Sequence, residues 1–492
     1  MPSPRAALLL IAALAGLLSP AHAQRFDPTE AAILALRQAV TFSESGTQHP
    51  RLVALRSLRD PSLRPLFEGL LQAEAAPLRL DGFLGMAELD PEGASASRLR
   101  ALGDPAFRTV VITECLGLNL LKPPAIREIL SWTDTGPYDR SLLVAELNRV
   151  GEPWEPEMLA DATSSNTAEV AGLAAMLMLE RKDDAPWQTF LTKAKGLLDQ
   201  DRLLLLRQLG DAARHYRLAA ACEPLLAATA GSDGMDRVAA IAAALKWRPE
   251  AGRAAVLELA RSDRSLRNLM QCGLLMLAAE DAVRAEDFEI LRGEGGLPAA
   301  MADAGVALRT PGADAGPSLA VLLQSANAAA SEWAVRQAER LEPASRESLL
   351  LMTLDRLQAL ERPSMHDKLL AALAVQQLIP LNPAALSERV RGTQGPSDVS
   401  EAVLAAMCDL GTPESAAFAR MIRGKLPQKG ESMTLVTIAR TSEGLGAVEL
   451  SELGRVGGGG GRVDEPIQMQ AAWLFLKHSK AAEKAMPRLA PR

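Results

Sequence analysis

Apolar residues recur along the chain at the spacing of one face of an α-helix. In LRPLFEGLLQAE they fall at i, i+3, i+4, i+7 and i+8, namely Leu63, Leu66, Phe67, Leu70 and Leu71. The same spacing recurs in AAILALRQAV, SLLVAELNRV and DKLLAALAVQQLI. Aromatic residues make up 3% of a chain that is 48% hydrophobic, so the core has to be built from Ala, Leu, Val and Met. The sequence therefore predicts an all-α fold.

Short polar-Pro pairs separate the apolar stretches and predict where helices begin. The pairs are Asp60-Pro61, Asp104-Pro105, Asn382-Pro383 and Thr412-Pro413. In each pair the polar side chain is suited to accept a hydrogen bond from an unpaired N–H group of the first turn, and Pro fits that turn. The run Asp27-Pro28-Thr29-Glu30 adds the acidic residue of a capping box.

The spacing of these starts predicts a repetitive stack rather than one globular core. Helices of about 10 to 18 residues, joined by connections of about 2 to 6, favour antiparallel neighbours. Asp60 follows Asp27 by 33 residues, and Asp104 follows Asp60 by 44. Both intervals lie in or near the range of known helical repeats, roughly 34 to 47 residues. Stacked helix pairs bury their apolar stripes on one another, which a single bundle of this size would not achieve.

The units at residues 60–93 and 412–440, together with DEPIQMQAAWLFLKH, resemble HEAT-like α-solenoid repeats. Tetratricopeptide-like or unclassified helical hairpins are the neighbouring alternatives. The resemblance implies a right-handed solenoid of stacked antiparallel hairpins. Such solenoids present long concave surfaces that usually hold another macromolecule.

Gly/Pro-rich segments predict divisions within the array. GEGGLPAA and TPGADAGPS surround residue 310, and RGTQGPS lies near residue 395. We expect an N-terminal helical-repeat array over residues 24–310 and middle repeats over 311–395. C-terminal repeats then occupy 396–492 and contain the Gly-rich loop 457–461.

The first 23 residues have the pattern of a secretory signal peptide. Arg5 precedes an uncharged apolar stretch at residues 6–18, Pro20 follows, and Ala21-His22-Ala23 gives small residues at the cleavage positions. Cleavage is expected after Ala23, with export to the periplasm or the medium. The apolar run is shorter than the roughly 20 residues that span a bilayer, and no later segment is predicted to span one.

Charge and cysteine content narrow the classes of partner and cofactor. A net charge of −7 argues against nucleic acid, which requires a clustered basic face. Of the four cysteines, Cys222 and Cys272 are the best candidates if one disulfide forms, being closest in sequence; buried thiols are the alternative. The absence of CxxC motifs and Cys/His clusters argues against zinc. The sequence thus predicts no metal and no cofactor.

Five consecutive glycines, Gly457 to Gly461, are the most conspicuous candidate for a phosphate-binding loop. A Walker-type loop needs Lys and Ser or Thr after the last Gly, but here Arg462-Val463-Asp464 follows. A dinucleotide fingerprint needs a βαβ unit, and the preceding ELSELGRV has helical spacing. We interpret the run as a flexible connection, followed by a helix capped by Asp464.

Residues 430–450 bear a superficial resemblance to lytic transglycosylases. Glu431-Ser432 and Ser442-Glu443-Gly444 are similar to that family's catalytic Glu-Ser pair and its later small-residue turn. The family's Asn-Pro and Gly-Leu-Met-Gln segments are missing. The resemblance would imply Glu431 as a general acid in a superhelical protein that acts on or binds peptidoglycan. The alternative interpretation is a glutamate at a helix start.

Three further patterns have simple structural interpretations. Ser364, His366 and Asp367 hold the letters of a catalytic triad, but neighbours on one helix start do not converge. A basic run, formed by Arg51, Arg56, Arg59 and Arg64, is interpreted as a solvated face or a patch for an anionic partner. The tryptophans are interpreted as packing anchors, with Trp154 the least obviously buried because it lies between prolines.

Together these observations predict no catalytic, cofactor-binding or metal-binding residues. We expect an exported, non-enzymatic helical-repeat scaffold that binds an unidentified protein in the periplasm or cell envelope. The alternative is the superhelical cell-wall protein described above, acting through Glu431. Both expectations rest on the kind of fold rather than on a site.

Overall fold

The computed structural model describes residues 27–41, 50–90, 99, 104–360, 362, 364–392, 411–424, 426, 428–460 and 464–489. Over these ranges all regular secondary structure is helical, so the predicted all-α class is confirmed. None of the described helices is both long and apolar enough to cross a membrane. The predicted signal peptide at residues 1–23 and its cleavage site lie outside the described residues.

We number the α-helices in chain order. The first group is α1 (Pro28–Thr41), α2 (Pro50–Arg56), α3 (Arg64–Leu70), α4 (Ala76–Leu89), α5 (Pro105–Gly117), α6 (Pro123–Leu130), α7 (Pro137–Val150), α8 (Ala160–Thr163), α9 (Ala168–Glu180) and α10 (Ala185–Ala194). The second is α11 (Asp199–His215), α12 (Cys222–Ala228), α13 (Met235–Trp247), α14 (Pro249–Ser262), α15 (Leu266–Ala278), α16 (Gly296–Arg309), α17 (Gly316–Gln324) and α18 (Ala328–Gln337). The third is α19 (Pro343–Gln358), α20 (Met365–Leu381), α21 (Pro383–Gly392), α22 (Pro413–Ile422), α23 (Gln428–Thr441), α24 (Ala447–Gly457), α25 (Glu465–His478) and α26 (Ala482–Leu489). Short 3-10 helices occupy Pro61–Leu63, Pro156–Leu159, Glu280–Ala282, Ala285–Glu294 and Ala338–Arg340.

The predicted helix starts are confirmed. Helices begin at the proline of each polar-Pro pair, and the preceding side chain accepts a backbone N–H two or three residues later. The acceptors are Asp60 (3.1 Å), Asp104 (3.0 Å), Asn382 (3.1 Å) and Thr412 (3.2 Å). Asp27 does the same for Thr29 at 2.9 Å. The carboxylate of Glu30 instead pairs with Arg488 at 2.6 Å.

The chain divides into two compact units. The terminal unit comprises residues 1–81 and 428–492, and the central unit comprises 82–427. The predicted ranges followed chain order, whereas the terminal unit combines both ends of the chain. Helices α16 and α17, on either side of residue 310, pack on each other within the central unit. The predicted boundary near residue 395 lies just beyond the described end of α21.

In the terminal unit the first helices pack on the last ones. Helix α1 contacts α24, α25 and α26, and α2 contacts α25. At the centre of this packing the buried carboxylate of Asp60 accepts three hydrogen bonds from side chains. The donors are the Ser62 hydroxyl at 2.6 Å, the Trp473 indole at 3.1 Å and the Lys477 ammonium at 2.9 Å. Burial alone would raise the pKa of Asp60, but these bonds outweigh it and hold the pKa below its usual value.

In the central unit helices pack mainly on their near neighbours in the chain. The pairs include α9 with α11, α11 with α13, α13 with α14, α14 with α15, α15 with α16 and α16 with α17. Small residues allow close approach. A Cβ at Gly210 of α11 would lie 2.8 Å from the Cβ of Ala239 of α13, so those helices meet almost backbone to backbone.

Arginines of the central unit donate to carbonyl groups earlier in the chain, and three of these carbonyls, of Met276, Leu308 and Leu323, lie in the last turn of a helix. The last four carbonyls of a helix have no partner within it, and a guanidinium is suited to bind several at once. In each case the acceptor precedes the arginine by about one helix pair. The bonds are Arg181 to Trp154 (27 residues), Arg248 to Ala219 (29), Arg309 to Met276 (33), Arg340 to Leu308 (32) and Arg356 to Leu323 (33).

Arg309→Lys tests the energetic role of these bonds. The Arg309 guanidinium donates to the carbonyls of Met276, Val283 and Gly305 at 2.8–3.2 Å. A lysine ammonium lacks this planar fork, so we expect the free energy of unfolding to fall by about 1–3 kcal/mol. Urea unfolding of the full chain measures the change. Arg336→Lys is the matched control: Arg336 is exposed and pairs only with Glu332 on its own helix, so it should change stability by less than about 0.5 kcal/mol. Equal losses in the two variants would contradict the proposed role.

Asp60→Asn tests the buried junction of the terminal unit. The variant keeps a cap but loses the negative charge that faces Lys477, so we expect a loss of about 2–4 kcal/mol near neutral pH. Because the folded pKa of Asp60 lies below its usual value, its contribution exists at neutral pH and disappears as pH falls through the folded value. Urea unfolding at several pH values should therefore show the difference shrinking in acid. Asp27→Asn, at an exposed cap of the same unit, is the control and should cost little.

Candidate functional site

A groove in the central unit is the main candidate for a binding site. It has a volume of about 860 Å³ and is lined by α11, α13 and α15 and the turn after α15. Met235, Val238 and Ala242 line it from α13 at i, i+3 and i+7, one stripe of that helix. Leu274 and Ala278 line it from α15. The walls are therefore half-exposed aliphatic side chains, which is typical of binding grooves.

The buried face of α13 explains why its stripe of Met235, Val238 and Ala242 faces outward. On α13 the core positions are Ala240, Ile241 and Ala244, which are completely buried against neighbouring helices. Met235, Val238 and Ala242 lie beside them and are left at the surface of the unit. Helix α13 thus carries more apolar surface than its own packing covers, and this surplus forms the groove.

Charged residues gather at one end of the groove. Arg214 and Lys246 occupy the last turns of α11 and α13, and Asp281 follows α15. All three are exposed. The Trp247 indole donates to the Arg214 carbonyl at 2.9 Å, which holds these helix ends together. The Lys246 ammonium lies 4.7 Å from the centre of the Trp247 ring.

The opposite end of the groove lies at Met235. Met235, at the start of α13, is exposed, and the Gln271 amide lies 3.7 Å from its sulfur. Gly210, in the later part of α11, faces Ala239 in the first half of α13. Leu204 on α11 and Leu266 at the start of α15 are 52% and 58% exposed. Exposed charged residues also lie near this end: Asp233 precedes α13, and Arg267 lies one turn before Gln271 on α15.

Apart from Asp281, the groove lining has no carboxylate, and it has no histidine or cysteine. Across the ranges the structure describes, no group of three His, Cys, Asp or Glu side chains is placed to hold a metal ion. The arrangement is suited to holding an apolar segment whose charges meet those at one end. The terminal unit has a smaller cleft of about 250 Å³, bordered by the exposed Glu30–Arg488 pair.

The structure places Gly458 to Gly460 in the connection between α24 and α25, as predicted, but Gly457 belongs to α24. Gly460 and Gly459 donate to the carbonyls of Arg455 and Val456 at 2.8 and 3.1 Å, the Schellman pattern that ends a helix. Gly459 supplies the left-handed conformation (φ +81°). A Cβ at Gly457 would lie 2.5 Å from the Cα of Ala472, so the run also allows α24 to approach α25 closely. Asp464 occupies the N-cap position of α25, as predicted, but its side chain makes no capping hydrogen bond. Gly461 lies outside the described residues.

The other candidates from the sequence lie apart from the groove. Glu431 lies in the first turn of α23, in the terminal unit, and lines neither cleft. Ser364 and Asp367 form a capping box, with the Ser364 hydroxyl 2.7 Å from the carboxylate, so the apparent triad is a helix start. His215 and His478 lie at the ends of α11 and α25.

The described cysteines are buried. Cys222 and Cys272 are free thiols, and burial raises the pKa of each to about 12. They are therefore not joined as the predicted candidate pair. Cys115 is also buried, and Cys408 lies outside the described residues.

The interpretation of the basic run as a solvated face is wrong for Arg56, whereas the interpretation of Trp154 as a packing anchor is confirmed. Arg56 is not part of a solvated basic face: it is 4% exposed and pairs with the buried Asp81 at 2.9 Å. Arg51 is engaged by Glu465 at 2.7 Å. Trp154 is 2% exposed, because Arg181 lies over its ring and its indole donates to Asn148.

Sequence reasoning missed the groove itself. The available signal was that α13 and α15, in MDRVAAIAAALKW and LRNLMQCGLLMLA, are apolar over more than one stripe. An excess of this kind indicates either a helix buried on all sides or one with a binding face. Only the arrangement of the neighbouring helices decides between these possibilities.

Compared with family models, with curated proteins and with solved structures, the chain matches none of them.

Gly457→Ala tests whether the glycine run shapes the terminal unit. The added Cβ would meet the backbone of α25 at 2.5 Å, so the two helices have to separate, and we expect a loss of about 2–3 kcal/mol. Gly444→Ala is the control, because a Cβ there meets nothing within 4 Å. Urea unfolding of both variants measures the difference. A flexible connection would instead tolerate both substitutions equally.

Proposed function

We propose that the protein is a non-enzymatic helical-repeat scaffold that binds a segment of another protein in the groove of α11, α13 and α15. The observation that carries the proposal is the groove's outward aliphatic stripe, which the protein's own packing leaves uncovered. A partner helix laid into such a groove would bury its apolar side chains against those of the groove.

A solenoid arrangement of the central unit fits this function. Its helices pack on near neighbours in the chain, and five of its arginines donate to carbonyls 27 to 33 residues earlier. Hydrogen bonds over this sequence separation would join stacked helix pairs. The separation approaches the repeat lengths of roughly 34–47 residues in HEAT-like and related arrays. We therefore propose a right-handed, HEAT-like stack.

The proposed partner belongs to the periplasm or cell envelope. Support comes from the first 23 residues, in which Arg5, the apolar stretch 6–18 and Ala23 have the order of an exported protein's signal peptide. The acidic net charge of −7 fits a protein partner better than nucleic acid.

Site-specific photo-crosslinking in the native cells tests the proposal. A photoreactive residue at Leu274, on the groove wall, should capture one partner protein in near-equal amount. Val238→Asp places a charge in the groove and should reduce that capture at least about ten-fold, because burying an unpaired carboxylate is costly. The identity of the cross-linked partner peptide, determined by mass spectrometry, should reveal an apolar helical segment.

Val321→Asp is the matched control, since Val321 is exposed on α17 and does not line the groove. It should leave capture unchanged. The comparison is valid only if both variants have the same melting temperature as the parent chain. Capture that survives Val238→Asp, or recovery of cell-wall fragments without protein, would contradict the proposal.

A further inference from the structure

We propose that Met235 is an oxidation site in the groove, where a peroxide converts the thioether into a sulfoxide and thereby lowers the affinity for the partner helix. This inference rests on the proposed function, because the affinity concerned is that of the segment held by α11, α13 and α15. Three features of Met235 support it: its place in the groove, its exposure and the amide beside its sulfur.

Met235 lies where a change of polarity acts on the partner. It begins the outward stripe that continues with Val238 and Ala242 on α13. A partner helix in the groove would cover this stripe and pack its apolar side chains on the thioether, which behaves as a flexible apolar group. A polar group at Met235 is therefore felt at the binding surface rather than in the core of the unit.

The Met235 side chain is open to a small oxidant. It is 43% exposed, whereas Met276 on α15 and Met301 on α16 are completely buried. In the reaction a sulfur lone pair attacks one peroxide oxygen, the O–O bond breaks, and the second oxygen leaves as water. The sulfur gains one oxygen and is oxidised by two electrons, while the peroxide is reduced.

The amide of Gln271 favours the oxidised form of the free protein. It reaches across from α15, and its nitrogen lies 3.7 Å from the Met235 sulfur. A thioether sulfur is a weak hydrogen-bond acceptor, whereas a sulfoxide oxygen is a strong one. The N–H donor is thus already beside the atom that gains the oxygen, and we expect the oxidised chain to keep the melting temperature of the parent.

The bound state does not tolerate the sulfoxide equally well. The oxygen is hydrated in the open groove, and an apolar partner helix would displace that water without offering a hydrogen bond in return. Burial of an incompletely paired polar group is costly, so the affinity should fall about five-fold or more. The change is reversible, because a methionine sulfoxide reductase removes the oxygen as water while a dithiol becomes a disulfide.

Peroxide treatment of the full chain tests the proposal. The probe is a labelled helical peptide of about 16 residues with a Leu stripe and no Met, and fluorescence anisotropy gives its affinity before and after treatment. Mass spectrometry of proteolytic fragments measures the sulfoxide at each methionine. The affinity should fall about five-fold or more as Met235 is oxidised, and reductases for both sulfoxide epimers, supplied with a dithiol, should restore it.

Met352 provides the matched control. It is partly exposed on α19, the Gln324 amide lies 3.6 Å from its sulfur, and it does not line the groove. Each protein is compared with its own untreated sample, so any effect of the substitution itself cancels. After peroxide, Met352→Leu should lose affinity as the parent does, whereas Met235→Leu should keep its untreated affinity. A loss that persists in Met235→Leu would overturn the proposal.

Met235→Gln tests the effect of polarity without an oxidant. Glutamine is neutral, polar and similar in length to methionine sulfoxide. The peptide should bind Met235→Gln about five-fold more weakly than Met235→Leu, and both variants should melt at the same temperature. Equal affinities of the two variants would contradict the assigned role of polarity at this position.

The failure of the oxidation site and the failure of the proposed function give different results. If the untreated chain does not bind the peptide, or if Val238→Asp has no effect on binding, the groove is not the binding site and both proposals fail. If Val238→Asp abolishes binding but oxidised Met235 leaves the affinity unchanged, only the oxidation proposal fails. It also fails if Met235 stays unmodified at peroxide doses that oxidise Met365, which is 81% exposed.

Discussion

Backbone carbonyls at helix ends set the main constraint on this protein. Its helices are short, so a large share of its residues lie near helix ends, where carbonyl groups lack partners within the helix. Arginine is suited to meet this requirement, because one guanidinium binds several carbonyls while its aliphatic part packs on the core. Arg309 bonds to three carbonyls and lies over Phe288. Five such arginines join segments of the central unit that lie 27 to 33 residues apart in the chain.

Small residues impose the second constraint. With few aromatic side chains, the core fills by bringing helices close together, as Gly210 does for α11 and α13 and Gly457 does for α24 and α25. Where two helices approach closely at small residues, the contact between them involves a narrow strip of each helix. The remaining apolar side chains of α13 and α15 then lie at the surface, and the groove follows from this packing.

The terminal unit shows how much of the structure depends on contacts remote in sequence. Asp60 meets Trp473 and Lys477, and Arg51 meets Glu465, across more than 400 residues of chain. Buried charge is stable there only because every donor around Asp60 is in place. An exposed pair such as Glu30–Arg488 contributes much less, since solvent screens it. The packing of the first helices on the last ones therefore depends on a few buried polar contacts together with the apolar core of α1 and α25.

The sequence by itself determined the helical class and many helix boundaries. Caps at Asp60, Asp104 and Thr412 act within three residues, so local physics suffices to predict them. The same local rules failed for Arg56 and Gly457, because their surroundings depend on Asp81 and Ala472, which a helical pattern does not identify. The tertiary structure alone decided which ends of the chain meet and which apolar stripe stays outside. The physical reason is that an apolar stripe becomes buried only where another helix packs on it. Which helix does so depends on contacts between segments far apart in the sequence.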